Sequence, residues 1–548
     1  MKQKRYRQDV IYQIYPRSFC DSNGDGIGDI PGIISKLDYL ADLGVGIIWL
    51  SPIYKSPLFD MGYDVADYLS IHPDYGTMED FDHLLEEAGK RNIKIVMDLV
   101  VNHTSDEHPW FQASRDKNSP YRDYYIWRKG KGKNGELPPN NWTSQFTGPA
   151  WDYDEKSGEW YLHLFANKQP DLNWHNPKVL EEVEKIIRFY LDKGVYGFRC
   201  DVINQIYKDS LEDGKGHAQS GRGSEHYLMT EGNHRILRQI HEDVFAKMDD
   251  SVMIGETFNV DIPNGRRYLE NKELDMFFQF DTMAVDKALQ GAAKKRFRAR
   301  NLRDVTYRFQ KGVEWNANYL ENHDQLRSIS RFGDPKHHWK ESGKSLACFN
   351  LCLRGTPFIY EGQEIGMLNL PPRDPRKSMD CAARQVYQIL KKMPIPDFIR
   401  FKMTNLIDRD HERSPMQWNS GLSAGFSSSA NTWLPVNENH SYINVEDEQK
   451  DPDSILNYYR KLIALRNKSI VLQEGAFEEV KVKGDLIAFK RVHEKGTVLV
   501  LVSLAKRALK VPSGIVPDKA ELLLSTYGDS KLEGLTRLRP YESLIISL

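Results

Sequence analysis

Apolar positions in the first hundred residues alternate between two periods. Val10-Ile11-Tyr12-Gln13-Ile14-Tyr15, Ile47-Ile48-Trp49-Leu50 and Ile93 to Val101 are nearly continuous β-forming runs. Between them, residues 30–43 carry Ile33, Ile34, Leu37, Leu40 and Ala41 at helical spacing, with Gly44 as the stop. Thr77 caps a second helix with Phe81, Leu84, Leu85 and Ala88 on one face. Buried strands alternating with amphipathic helices predict a parallel sheet covered by helices.

The pattern breaks from about 104 to 175. This stretch is rich in Trp, Tyr, Asn, Gly and Pro and has no helical periodicity, which marks a functional insertion. The pattern resumes at 181–191, 196–201, 252–256, 276–280, 315–321 and 358–360. Eight candidate strands result, the number that closes a (β/α)8 TIM barrel. Residues 370–450 form another polar insertion. An amphipathic helix follows, with Ile455, Leu456, Tyr459, Leu462 and Ile463 on one face and Asp453 or Ser454 as cap. Beyond about 470, short strands at 486–492, 498–502, 522–524 and 544–546 predict a small antiparallel β-sandwich. The expected organisation is α/β: a barrel in 1–103 and 176–470, an inserted loop-rich domain in 104–175, and a C-terminal sandwich in 471–548.

Composition narrows the function classes. A chain of 548 residues exceeds one ordinary core, so several domains are expected. A formal net charge of −2 gives no field that favours nucleic acid or an anionic membrane. The five cysteines (Cys20, Cys200, Cys348, Cys352, Cys381) form no CxxC pair, so neither a zinc ribbon nor a disulfide framework is signalled. No apolar signal region precedes the first strand, and no run reaches the ~18 apolar residues of a membrane helix. A cytoplasmic monomer acting on a small substrate, with no nucleic-acid or membrane partner, is the expectation. An aromatic content of 11% serves a large core first and sugar-stacking surfaces second.

The candidate chemistry lies where strands end. Asp98-Leu99-Val100-Val101-Asn102-His103, Gly197-Phe198-Arg199-Cys200-Asp201, Ile254-Gly255-Glu256 and Glu321-Asn322-His323-Asp324 each pass from β-formers to ionisable groups. A lone acid at a strand end is ordinarily a helix cap or ion-pair partner. Four such ends point to one site at the carboxyl end of a barrel. Asp201, Glu256 and Asp324 supply three acids, with no Cys or Ser motif in competition. Arg199 lies two residues before Asp201, on the same strand face, and is expected to keep it ionised. Glu256, between Gly255 and Thr257, is free to rise in pKa as a proton donor requires.

Asp21-Ser22-Asn23-Gly24-Asp25-Gly26-Ile27-Gly28-Asp29 places oxygen ligands at alternate positions, like the start of an EF-hand loop. The Glu required at loop position twelve is replaced by Gly32, so a true EF-hand is excluded. A nonstandard Ca²⁺ or Mg²⁺ loop of Asp21, Asn23, Asp25, the Ile27 carbonyl and Asp29 is expected; the alternative is a metal-free turn. Such an ion is structural, and no cofactor is expected for catalysis. The basic run Lys294 to Arg300 is read first as a solvated helix face and second as a phosphate site. Gly130-Lys131-Gly132-Lys133 lacks the ending of a P-loop.

The four strand-end stretches resemble the four signature regions of the α-amylase superfamily, glycoside hydrolase family 13, and in particular the oligo-1,6-glucosidase, isomaltase and dextran glucosidase group. Residues 12–19, 62–64, 169–173 and 413–418 match as well, so the resemblance covers nearly the whole chain. It implies a retaining double displacement, with Asp201 as nucleophile and Glu256 as acid and then base. Asp324 would bind the 2- and 3-hydroxyls and favour the oxocarbenium-like ring. It also implies that His103 and His323 bond the same glucose, that Tyr63 stacks on it, and that Asp64 with Arg413 grips its far edge. Phe165 and Gln169 would wall the entrance. Val202, after the nucleophile, resembles the α-1,6-acting type, whereas Ala or Thr there resembles the maltase type. Two positions depart from the group's pattern: Cys200, and Thr257 to Val260. Competing readings are a broad or α-1,4-acting α-glucosidase, a trehalose-6-phosphate hydrolase, and a sucrose isomerase or transglucosidase. Residues 283–287 lack the arginine pair that the isomerases carry. A noncatalytic amino-acid-transporter partner with an amylase-like ectodomain is disfavoured by the retained acids.

Overall fold

The computed structural model describes residues 4–217, 220–288 and 293–548. Its centre is eight strands: β1 Ile11–Ile14, β2 Ile47–Leu50, β3 Lys94–Leu99, β4 Gly197–Cys200, β5 Val252–Thr257, β6 Met276–Gln279, β7 Ala317–Asn318 and β8 Thr356–Tyr360. Their spatial order is β6-β5-β4-β3-β2-β1-β8-β7, and every pairing is parallel. Sequential strands are thus neighbours, as in a (β/α)8 barrel. β7 is shorter than its apolar run. Only Ala317 and Asn318 pair with β8, and the β6 side is met by a side chain: the Tyr319 hydroxyl donates to the Gln279 carbonyl at 2.9 Å.

The expected helix over 30–43 is two helices, α1 Ile30–Ile34 and α2 Leu37–Leu43. The break has a local cause. The Ser35 hydroxyl bonds the Gly32 carbonyl at 2.7 Å, and the Lys36 N–H turns to Ile33 instead. Gly44 ends α2 at φ 91°, where a Cβ would meet Ile463 at 2.8 Å. Thr77 caps α3 Met78–Lys90 reciprocally with Asp80.

The insertion after β3 contains a short helix, Pro109–Ser114, that periodicity could not reveal at six residues. It also holds an antiparallel sheet of Trp127–Arg128, Glu159–Leu162 and Trp151–Asp154. The basic run is not one helix face: residues 295–298 are irregular and a helix begins at Ala299. Lys295, Arg296, Arg298 and Arg300 are exposed; the Lys294 side chain lies outside the described residues.

α4 Ile455–Lys468, capped by Ser454, leads to β9 Ala476–Glu479, β10 Leu486–His493, β11 Gly496–Ser503, β12 Glu521–Ser525 and β13 Ser543–Ser547. These form one antiparallel sheet in the order β9-β10-β11-β13-β12. Alternation splits its faces. Ile487, Phe489, Val500 and Ile545 join the barrel core, while Leu486, Leu499, Leu501 and Leu544 pack on a two-stranded second layer containing Leu509 and Leu538. Among the described residues no helix is long and apolar enough to cross a membrane.

Candidate active site

Register builds the site. β3 and β4 pair with Asp98 beside Arg199, and β4 and β5 pair with Arg199 beside Ile254, two residues before Glu256. The guanidinium of Arg199, 1% exposed, therefore meets three carboxylates from three adjacent strand ends. Nη1 donates to Asp98 Oδ1 at 2.8 Å and to Asp201 Oδ1 at 2.7 Å, and Nη2 stands 2.7 Å from Glu256 Oε2. The face of the guanidinium lies over Trp49, 5.2 Å from the ring centre.

One cation among three buried acids cannot balance them, so protons must be retained. Burial pushes Glu256 up to about 8, against the pull of Arg199 and helped by the charges of Asp201 and Asp324. Burial pushes Asp201 up to about 7 against Arg199, with Asp98 adding to the rise. Asp98 rises for the same first reason, to about 6. The expectation that Arg199 keeps Asp201 low is therefore corrected: its single charge is shared, and desolvation wins. Burial and the neighbouring charges of Asp201 and Asp324 all push Glu256 up, and with Arg199 and the Val202 N–H (3.1 Å) both on its Oε2, Oε1 is the oxygen free to carry a proton.

Asp324 is placed oppositely. Burial opposes its ionisation, but His323, Arg409 and Arg413 hold it well below the usual carboxylate range. Arg413 Nη2 bonds its Oδ1 at 2.7 Å and Arg409 Nη1 at 3.0 Å. Burial pushes His323 down to about 3, so its imidazole is neutral at neutral pH and the two guanidinium groups carry the effect there. His323 lies between Gln13, 2.8 Å from Nδ1, and the Tyr63 hydroxyl, 2.7 Å from Nε2. Tyr63 stacks on His323 with ring planes 1° apart and donates onward to Asp98 at 3.0 Å.

The remaining predicted residues fall on the same mouth. His103 Nε2 is 3.0 Å from the Tyr63 carbonyl and 3.1 Å from Gln169 Nε2, and its ring faces Phe165 at 5.2 Å. Asp64 departs from its expected place. Its carboxylate accepts the N–H groups of Phe59 and Asp60 at 2.8 and 3.0 Å, closing the turn that carries Asp60. Asp60 is the acid that reaches these residues, accepting from Arg409 Nη2 at 2.9 Å and Gln169 Nε2 at 3.1 Å. Sequence reasoning missed Asp60, Arg409 and Asp98. The only signals were a second acid four residues before Asp64, an arginine four residues before Arg413, and an acid opening the first strand-end stretch. Val202 is likewise not in a strand. β4 ends at Cys200, and Val202 sits at φ 37°, ψ 38°, a left-handed conformation that is strained for a β-branched residue. Strand alternation therefore does not aim its side chain; the turn does.

The loop 21–29 lies apart from these acids. Asp21 Oδ2 accepts the Gly26 N–H at 2.8 Å, Asn23 Oδ1 accepts from Asp25, and Asp25 Oδ1 accepts from Ile27. Gly26, at φ 88°, presses against the 431 backbone, where a Cβ would come within 2.0 Å of the Asn431 carbonyl oxygen. Among the described residues, none of Asp21, Asp25 and Asp29 has a lysine or arginine partner, and their carboxylates are not gathered at one point. Asp29 caps α1 through the Gly32 N–H and accepts the Ser22 N–H and hydroxyl at 3.0 and 2.8 Å, so the set is all oxygen, as a hard cation requires, while its oxygens face N–H and hydroxyl groups of their own segment and not one shared point.

The arrangement sets two buried carboxyl groups, Asp201 and Glu256, on one guanidinium, which suits acid-assisted displacement at an acetal carbon followed by hydrolysis. The family model described as alpha amylase, catalytic domain, matches residues 13–475. The chain is 44% identical to the oligo-1,6-glucosidase of Parageobacillus thermoglucosidasius over 100% of both chains. It is 41% identical to the trehalose-6-phosphate hydrolase of Bacillus subtilis, covering 99% of this chain and 98% of that one. The crystal structure of isomaltulose synthase from Klebsiella sp. LX3 matches with a TM-score of 0.94 at 38% identity, covering 100% of each chain.

The raised pKa of Glu256 has a cost that depends on pH. A carboxyl whose folded pKa lies above its unfolded value stabilises the fold at low pH. That contribution is lost as pH rises from about 4.5 towards about 8. Glu256→Gln keeps an oxygen for Arg199 and Val202 and removes the ionisation. The variant is expected to melt a few degrees above wild type at pH 8, with a smaller gain at pH 5. A melting series at both values checks this, and an equal or lower melting temperature at pH 8 contradicts it.

Proposed function

Because the chain belongs to the α-amylase family, glycoside hydrolase family 13, we propose that it is a retaining, exo-acting α-glucosidase. It releases glucose from the nonreducing ends of isomaltose, panose and short isomaltooligosaccharides by cutting α-1,6 bonds. The observation that carries this reading is the pair of buried carboxyl groups, Asp201 and Glu256, held on the one guanidinium of Arg199, with burial pushing Glu256 up. Glu256 Oε1–H protonates the leaving glycosidic oxygen while Asp201 attacks the anomeric carbon. The resulting carboxylate of Glu256 then takes a proton from water as that water displaces Asp201. Asp324, kept anionic by Arg409 and Arg413, accepts the sugar hydroxyls and offsets positive charge at the ring. Asp60, Gln169 and Arg409 close the far wall, which supports single-unit release. The five unpaired, buried cysteines support a reducing cytoplasmic location, and a monomer suffices.

The full-length similarity to an oligo-1,6-glucosidase supports the α-1,6 linkage. The similarity to a trehalose-6-phosphate hydrolase, together with the exposed basic residues 295–300, keeps a phosphorylated disaccharide as the second reading. Glucose release from isomaltose, maltose, trehalose 6-phosphate and sucrose separates them. Isomaltose and panose should be the preferred substrates, and the first product should keep the α configuration by NMR. Asp201→Asn should lower kcat by at least about a thousandfold. An inverted product, or trehalose 6-phosphate as the best substrate, would refute the proposal.

Val202 is proposed to set linkage preference. Its stiff β-branched side chain, half-buried beside the acid pair, disfavours the closer approach of an α-1,4-linked acceptor. Pocket differences of this size are worth about 1–3 kcal/mol, roughly 10–200-fold. Val202→Ala or Val202→Thr should narrow the isomaltose-to-maltose ratio of kcat/KM. Wild-type enzyme that favours maltose would show that other acceptor contacts dominate.

We further propose that Asp21, Asn23, Asp25, the Ile27 carbonyl and Asp29 hold one structural Ca²⁺ or Mg²⁺. The ion would neutralise three acids in the loop. Chelation should lower the melting temperature by several degrees, and adding back the cation should restore it. A melting curve indifferent to both treatments would count against the site.

A further inference from the structure

Lys208, eight residues past the end of β4, is 3% exposed. Its ammonium group is paired with Asp171 Oδ2 at 2.7 Å and donates to Asn102 Oδ1 at 2.8 Å and to the Ile206 carbonyl at 3.3 Å. An ammonium can only donate, so the Asn102 amide must present its oxygen to Lys208. Its NH2 group then faces His103 Nδ1, 3.2 Å away. A nitrogen facing a donor must accept, so Nδ1 carries no hydrogen. The imidazole is neutral, because burial lowers its pKa. Its one hydrogen is therefore on Nε2, which donates to the Tyr63 carbonyl at 3.0 Å.

The other tautomer fits less well. Gln169 Nε2 also lies 3.1 Å from His103 Nε2, but its Oε1 accepts from the Ala166 N–H at 3.0 Å and its two hydrogens have acceptors in Asp60 and the Tyr63 carbonyl. Moving the His103 hydrogen to Nδ1 would set it against the Asn102 NH2 group, with no acceptor available from that amide.

We propose that Lys208 is a positioning residue that fixes the tautomer of His103 through Asn102, holding the one ring hydrogen on Nε2, where the Tyr63 carbonyl shares it with a hydroxyl of the bound sugar. The chain runs from Lys208 on the β4 exit, through Asn102 after β3, to the pocket. It rests on the α-glucosidase reading only for its last link, from His103 to the sugar.

The experiment uses enzyme labelled with ¹⁵N-histidine. A long-range ¹H–¹⁵N spectrum, assigned by the loss of signal in His103→Gln, reports which ring nitrogen is protonated. Wild type should show protonated Nε2. Lys208→Met should shift His103 towards a tautomer mixture and raise KM for p-nitrophenyl α-glucoside about tenfold, with kcat changing less. Lys208→Arg, which also only donates, should restore both. Lys208→Met leaves Asp171 buried and unpaired, so Asn102→Asp provides a second route if it does not fold. That variant keeps an oxygen for Lys208 and offers His103 an acceptor, moving the hydrogen to Nδ1. Wild type protonated on Nδ1, or a tautomer unmoved in the variants, overturns the positioning role. A tautomer that moves while KM stays fixed overturns the sugar contact alone.

Discussion

The site depends on one buried guanidinium. Asp98, Asp201 and Glu256 come from three adjacent strands, and the two terminal nitrogens of Arg199 are what they share. Without that cation, three desolvated acids would face each other across the barrel mouth. With it, they are held together at the cost of protons. A buried arginine is well suited to the role. Its charge is not given up, its fork meets several carboxylates at once, and its flat face rests on Trp49. Parallel register then becomes functional. A one-residue slip between β3 and β4 would take Asp98 or Arg199 out of the barrel.

The same residue type performs opposite tasks a few ångströms away. Glu256 and Asp201 share one positive charge with Asp98 and are pushed up, while Asp324 meets two guanidinium groups at one oxygen, Arg413 and an Arg409 that also pairs with Asp60 and Asp380, and is held low. Burial acts on all three in the same direction. How many guanidinium groups each carboxylate meets separates the two outcomes: one shared among three acids, against two on a single oxygen of Asp324. Those two arginines come from the insertion at 370–450, so the barrel alone does not complete the site.

What was legible in the sequence followed periodicity and strand ends. Continuous apolar runs gave the barrel strands, and the four transitions to ionisable residues marked where chemistry gathers. Two kinds of feature were not legible. Short-range competition hid the break at Ser35, because one hydroxyl taking the Gly32 carbonyl leaves no trace in hydrophobic spacing. Long-range convergence hid Asp60 and Arg409. They are 349 residues apart, and nothing in their local sequence shows that they meet. Asp64 was assigned the wall that Asp60 holds, because a turn rather than a strand orients both, and turns do not follow alternation. Arg199 was expected to lower Asp201, and a pairwise view could not show that Asp98 draws on the same charge.

Val202 ties the end of β4 to the acid on β5 through its backbone. Its left-handed backbone turns the N–H towards Glu256 Oε2, leaving the other oxygen free. The strain of that conformation is maintained because the turn must leave β4 sharply enough for the N–H to reach β5. Asn204, two residues on, secures the geometry by bonding both the N–H and the carbonyl of Phe258. Changing the side chain at 202 also changes how readily the backbone adopts φ 37°, so a substitution there acts on the N–H bond to Glu256 as well as on whatever the side chain touches.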